Sequence, residues 1–63
     1  MVKPLQQHVG KTIRLYTISA TESYLGTVEE VTDQFVVLRE TFSKEPMYIA
    51  MSCIEAFKEV VRH

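Results

Sequence analysis

The stretch TESYLGTVEEVTDQFVVLRET, residues 21–41, constrains the fold more than any other part of the chain. Two β-rich runs, residues 24–31 and 35–38, flank a three-residue break of Thr32, Asp33 and Gln34. Apolar side chains dominate both runs and Asp33 marks a turn, so the stretch predicts a β-hairpin. Gly26 stands inside the first run, where a glycine marks a sharp bend or a close backbone approach. Tyr24 and Val28 share one parity along that run, whereas Val31 falls on the other. One extra residue near Glu29 and Glu30 brings all three to the same face. A bulged, bent strand followed by a tight turn is how a short chain curls a sheet into a barrel.

The flanking segments supply the remaining elements. Residues 1–10 contain Pro4, suited to the first turn of a helix, and Gly10, suited to its end. Leu5 and Val9 lie four apart, so a short helix of one or two turns lays both on the barrel. In residues 11–18, Ile13, Leu15 and Thr17 alternate with Thr12, Arg14, Tyr16 and Ile18, which is strand periodicity with Arg14 and Tyr16 outward. Residues 19–23 read as a polar connecting loop. In residues 34–41, Val36 and Leu38 take one face and Phe35 and Val37 the other, so both faces are apolar. Such a strand is buried on both sides or exposed on a partner interface. Residues 42–46 form a turn in which Pro46 breaks pairing. Residues 47–51 are a fourth strand, Ser52 and Cys53 a corner, and residues 54–61 a fifth strand. A helix over residues 54–62 is the alternative, because Ile54, Phe57 and Val61 also fit a spacing of three to four. The preceding run of short β elements favours the strand. The reading is one domain, residues 1–63, folded as a small all-β, five-stranded bent barrel with a short N-terminal helix.

Size then bears on assembly. A chain of 63 residues buries only about 60% of its unfolded surface and is marginal alone. Domains of this size recruit disulfides, a metal or a partner subunit. Cys53 is the single cysteine, so no intrachain disulfide forms. His8, His63 and Cys53 lack metal-ligand spacing. Oligomerisation remains as the expected support. Seven Lys and Arg against eight Asp and Glu give a net charge of −1, which argues against broad electrostatic capture of nucleic acid. No apolar run approaches the length of a membrane span, no signal peptide is visible, and a lone thiol fits a reducing cytoplasm.

In this order and spacing, the segments resemble the Sm-like family of Sm, Lsm and Hfq proteins over nearly the whole chain. PLQQHVGKTIRLYT is similar to the family's opening helix, Gly-Lys step and first strand. YLGTVEEVTDQFVVLRE is similar to the first Sm motif, and Asp33-Gln34-Phe35-Val36 resembles the Hfq version of its turn. YIAMSCIEAF resembles the shorter second motif. The resemblance implies an SH3-like barrel that assembles into a homo-oligomeric ring of five to seven subunits, the fourth strand of one pairing with the fifth of the next. It implies single-stranded RNA as the ligand; no cofactor is expected, and a third reading, an enzyme, finds no acid–base or nucleophile constellation in the residues. Val37, Tyr48 and Phe57 are the residues expected at the subunit interface.

The chain departs from the family in the second motif. Tyr48-Ile49-Ala50 stands where Hfq proteins have Tyr-Lys-His, and Ile49-Ala50-Met51 where Sm proteins have Ile-Arg-Gly. Ala50 therefore occupies the position of a basic residue near the pore. Val37 stands in the region of the Sm-type Asn. The candidate inner-rim site is Gln34, Phe35 and Ala50, with Phe35 stacking a base and Gln34 reading its edge. The bland alternatives are a packed or interface aromatic for Phe35 and a turn cap for Gln34. Arg14 and Tyr16 form a candidate second RNA surface, or are simply solvated strand residues. Cys53 has no triad partners and reads as a small core residue. Glu29, Glu30 and Asp33 lack calcium-loop spacing and read as a solvated turn. Two functions follow: an RNA-binding chaperone or scaffold ring without catalysis, or a ring that serves as a protein-interaction scaffold without RNA.

Overall fold

A computed structural model describes residues 2–18 and 21–61. The elements are α1 (Val2–Gln6), β1 (Thr12–Thr17), β2 (Tyr24–Val31), β3 (Phe35–Glu40), β4 (Pro46–Ala50), a 3₁₀ turn (Met51–Cys53) and β5 (Ile54–Glu59). The five strands form one antiparallel sheet in the order β4-β3-β2-β1-β5. The expected five strands and short helix are present, but the sheet is not closed within the chain. β4 and β5 each pair on one side only among the described residues, which leaves two free edges.

The core lies on one face of the sheet. Ile13 and Leu15 from β1, Val28 from β2, and Val36 and Leu38 from β3 are fully buried with Leu5 from α1. Thr17 completes the inner face of β1, and Arg14 and Tyr16 lie on the other face. Tyr24, Val31, Ile49, Met51, Ile54 and Phe57 pack around this cluster. Alternation on β1 and β3 thus selects the inner residues as the sequence predicts.

The predicted extra residue in β2 is Glu29. Val28 faces Leu38 and Glu30 faces Val37, so Glu29 is skipped in the β2–β3 ladder. The skip restores Val31 to the inner face opposite Val36. A second bulge lies in β5. Tyr16 faces Ala56 and Thr17 faces Ile54, so Glu55 is skipped. Without that skip, strict alternation would place Ile54 and Phe57 on opposite faces. With it, both pack on the core. The three-residue spacing that suggests a helix is therefore the signature of a bulged strand. Arg62, the end of the helical alternative, lies outside the described residues, as do residues 19 and 20 of the connecting loop.

Two local expectations are corrected. Val9 is 48% exposed instead of packed beside Leu5. The helix ends at Gln6, and His8 N and Val9 N bond to the carbonyls of Leu5 and Gln6, three residues back. That tighter winding turns Val9 away from the Leu5 side. Gly10 supplies the left-handed φ of 87° that leads the chain into β1, where its N–H donates to Val28 O at 2.8 Å. Pro46 does not interrupt pairing: it opens β4 in register with Arg39, a position on an edge strand that tolerates a missing N–H. The turn between β3 and β4 is held by Lys44 N on Glu40 O, Glu40 N on Glu45 O, and Ser43 Oγ on the Glu40 carboxylate at 2.6 Å. Lys44 itself adopts a φ of 64°.

Candidate nucleic-acid interface

The residues of the candidate inner rim come together at one end of the β3–β4 pair. Thr32 shapes the approach. Its Oγ1 accepts from Gln34 N at 3.2 Å and Phe35 N at 3.0 Å, and its own N–H donates to Phe35 O. The turn is therefore capped by Thr32, with Gln34 contributing its backbone. Gln34 O accepts from Met51 N at 2.8 Å, which ties the start of β3 to the end of β4. Phe35 then stands directly opposite Ala50 in the ladder. Gln34, Phe35 and Ala50, sixteen positions apart at the extremes, are local neighbours.

Period-two alternation adds two more residues to this face. Val37 pairs with Tyr48, so Phe35, Val37, Tyr48 and Ala50 share the outer side of the sheet. The Phe35 and Tyr48 rings lie 5.7 Å apart between centroids at an interplanar angle of 58°. That separation is within the range of favourable aromatic pairs. Val37 is 6% exposed, whereas Tyr48 is 70% exposed and Ala50 is open to solvent. The patch has an apolar floor and a projecting aromatic wall on an edge strand. Tyr48 beside Phe35 is legible in the sequence only after Phe35 and Ala50 are set opposite each other.

The described residues of this patch include no cation. Arg39 follows Val37 on the same side of β3, but its guanidinium is engaged. Nε donates to Glu29 Oε2 at 2.6 Å, Nη2 to Glu29 Oε1 at 3.0 Å, and Nη1 to Lys44 O at 2.6 Å. The hydrogen bond from Arg39, aided by its charge and opposed by desolvation, holds the Glu29 carboxyl below the ordinary carboxylate range. The same hydrogen bond raises Arg39 above its ordinary value.

Arg14 and Tyr16 occupy a separate groove. It encloses about 500 Å³ and is lined by Arg14, Tyr16, Ser23 and Glu55, among others. Arg14 Nη1 donates to Ser23 Oγ at 2.9 Å. Glu22 and Glu55 also border the groove, so its charge is mixed. Phe57 lies apart from Val37 and Tyr48. On β5 it pairs with Leu15 of β1, packs on the core and meets the His8 ring edge-on at 5.1 Å. Val37 and Tyr48 thus belong to the β4 side of the sheet and Phe57 to the β5 side. The described residues contain no group of three His, Cys, Asp or Glu side chains placed to hold a metal. No helix among them is long and apolar enough to cross a membrane.

Compared with models of known families and with curated proteins, the chain gives no match.

Proposed function

We propose that this chain is an Sm-like subunit that closes into a homo-oligomeric cytoplasmic ring and binds single-stranded RNA as a non-catalytic chaperone or scaffold. The observation that carries the reading is the juxtaposition of Phe35 with Ala50 and Gln34 at the end of two paired strands. Phe35 offers a π-face on which a base stacks, and Gln34 offers an amide for its edge. The free β4 and β5 edges support assembly. A neighbour's β5 laid on β4 satisfies the unpaired backbone groups of both strands and covers apolar surface that 63 residues leave open. Val37 and Tyr48 on one side and Phe57 on the other are the residues assigned to that contact.

In this mechanism the protein is a platform. Ala50 provides no phosphate partner, and Arg39 is occupied by Glu29. Affinity comes from stacking, with little counterion release, so binding is weak and only slightly salt-dependent. That same scarcity of cations favours the second reading, a ring that presents the Phe35–Tyr48 patch to a protein partner. Titration with labelled oligo-U and oligo-A over a range of salt separates the two. Binding that persists as salt rises supports RNA, and no binding at low salt leaves the protein scaffold. Light scattering tests assembly directly: a stable monomer at micromolar concentration overturns the ring.

A further inference from the structure

We propose that the groove over Arg14 and Tyr16 binds a free α-amino acid, with its carboxylate at Arg14 and its ammonium at Glu55. The groove encloses about 500 Å³, a size common among small-molecule sites. Charges of both signs line it, and they do not neutralise one another. The ion pairs among the described residues are His8–Glu59, Lys11–Glu59 and Arg39–Glu29. Arg14, Glu22 and Glu55 take part in none of them, although all three line the same groove. Arg14 Nη1 donates instead to a neutral partner, Ser23 Oγ, at 2.9 Å. A purely anionic ligand meets two carboxylates here, and a purely cationic one meets the guanidinium. A ligand that carries both charges satisfies each.

The β1–β5 ladder separates the two signs along the strand. Lys58 stands directly opposite Arg14, so this row carries two cations on one side of the sheet. Like charges set opposite each other repel, and a ligand carboxylate beside them removes that repulsion. Glu55 enters further along β1. It is the skipped residue between the Tyr16–Ala56 and Thr17–Ile54 pairs, about 8 Å from the Arg14 row at the usual rise per residue. A bulge re-aims side chains, and this one brings Glu55 into the groove with Tyr16. An α-amino acid bears its ammonium and its carboxylate on one carbon. With a hydrogen bond of about 2.8 Å at each end it reaches across roughly 8 Å, the separation of the two rows. The guanidinium fork takes a carboxylate through two parallel hydrogen bonds. An ionised Glu55 only accepts, which suits the ammonium. Tyr16 stands between the two rows, where an aromatic ring also attracts the ammonium.

The test is amide NMR of the whole chain near neutral pH, titrated with probes that share a phenyl ring. L-phenylalanine carries both charges, hydrocinnamate only the carboxylate, and phenethylamine only the ammonium. L-phenylalanine is expected to move the amides of Arg14, Ser23 and Glu55 saturably. It should bind at least about tenfold more tightly than either single-charge probe, which lacks one charged hydrogen bond. Glu55→Gln is expected to reduce L-phenylalanine to the affinity of hydrocinnamate while leaving hydrocinnamate binding undiminished. Arg14→Gln is expected to reduce it to the affinity of phenethylamine. Equal binding of the three probes overturns the proposal, as does the absence of any amide shift with millimolar L-phenylalanine. Oligo-A that moves these amides where L-phenylalanine does not makes the groove a nucleic-acid surface and overturns it too. If either variant fails to fold, the probe series on the unaltered chain decides.

Discussion

A Cβ atom placed on Gly26 would overlap the carbonyl oxygen of Arg39 across the β2–β3 ladder. It would also come within 2.9 Å of Leu38 Cγ and of the Arg39 carbonyl carbon. The obstruction is chiefly backbone, which has little freedom to move aside. Gly26→Val is therefore expected to destabilise by about 3 kcal/mol, the upper part of the overpacking range. Gly26→Ala already introduces the clash. Urea unfolding of both variants checks this, and an unchanged midpoint for Gly26→Ala removes the close approach from the argument.

The two apolar residues of the N-terminal segment are expected to behave unlike each other. Leu5 is fully buried and Val9 is largely exposed. Leu5→Ala should cost about 2–5 kcal/mol, as for other buried leucines. Val9→Ala should stay within about 0.5 kcal/mol, as at a surface site. Equal losses at the two positions would restore the two-turn helix that the spacing of Leu5 and Val9 predicts.

Phe35 and Arg14 separate the two candidate RNA surfaces. Phe35→Ala is expected to lose about 1–3 kcal/mol of RNA binding per stacked base, with assembly intact by light scattering. Arg14→Ala should leave that site alone and weaken binding in the Arg14–Tyr16 groove. Loss of assembly in Phe35→Ala would make the Phe35–Tyr48 pair a subunit contact and leave the rim without its stacking group.

Acid should dissolve the contribution of the Glu29–Arg39 pair. Arg39 depresses the Glu29 carboxyl in the folded chain, so its stabilising effect is present above the ordinary carboxylate range. It disappears as pH falls through the lowered value. The stability difference between this protein and Glu29→Gln should thus be small but measurable near neutrality, vanish in acid, and shrink with added salt. A difference that grows in acid contradicts the assignment.

The bulges show how far the sequence carries the fold. In β2, Tyr24, Val28 and Val31 sit in a stretch already marked as strand by its hairpin turn, so their change of parity points to an extra residue near Glu29. In β5, Ile54 and Phe57 display the same change of parity, but without a turn beside them it is indistinguishable from a helical spacing. Only the pairing with β1 decides. Gln34, Phe35 and Ala50 are singled out by resemblance to the two Sm motifs, and only the β3–β4 register sets Phe35 against Ala50. Tyr48 beside Phe35 depends on the register around Pro46, which the proline obscures. The meeting of His8 with Glu59 joins opposite ends of the chain, and no local pattern announces it.

Each bulge also has a consequence for how a gene encoding this chain can vary. Removing the codon for Glu29 would leave Val28, Glu30 and Val31 in unbroken alternation, with every inward side chain still inward. The same holds for Glu55, whose loss would place Ile54 and Ala56 in direct succession against Thr17 and Tyr16. Such deletions preserve the register of burial while straightening the ladder and, at Glu29, removing the carboxylate partner of the Arg39 guanidinium, which keeps its bond to Lys44 O. Sheet curvature in this protein is thus written in the number of residues, a property that insertion and deletion alter and substitution does not.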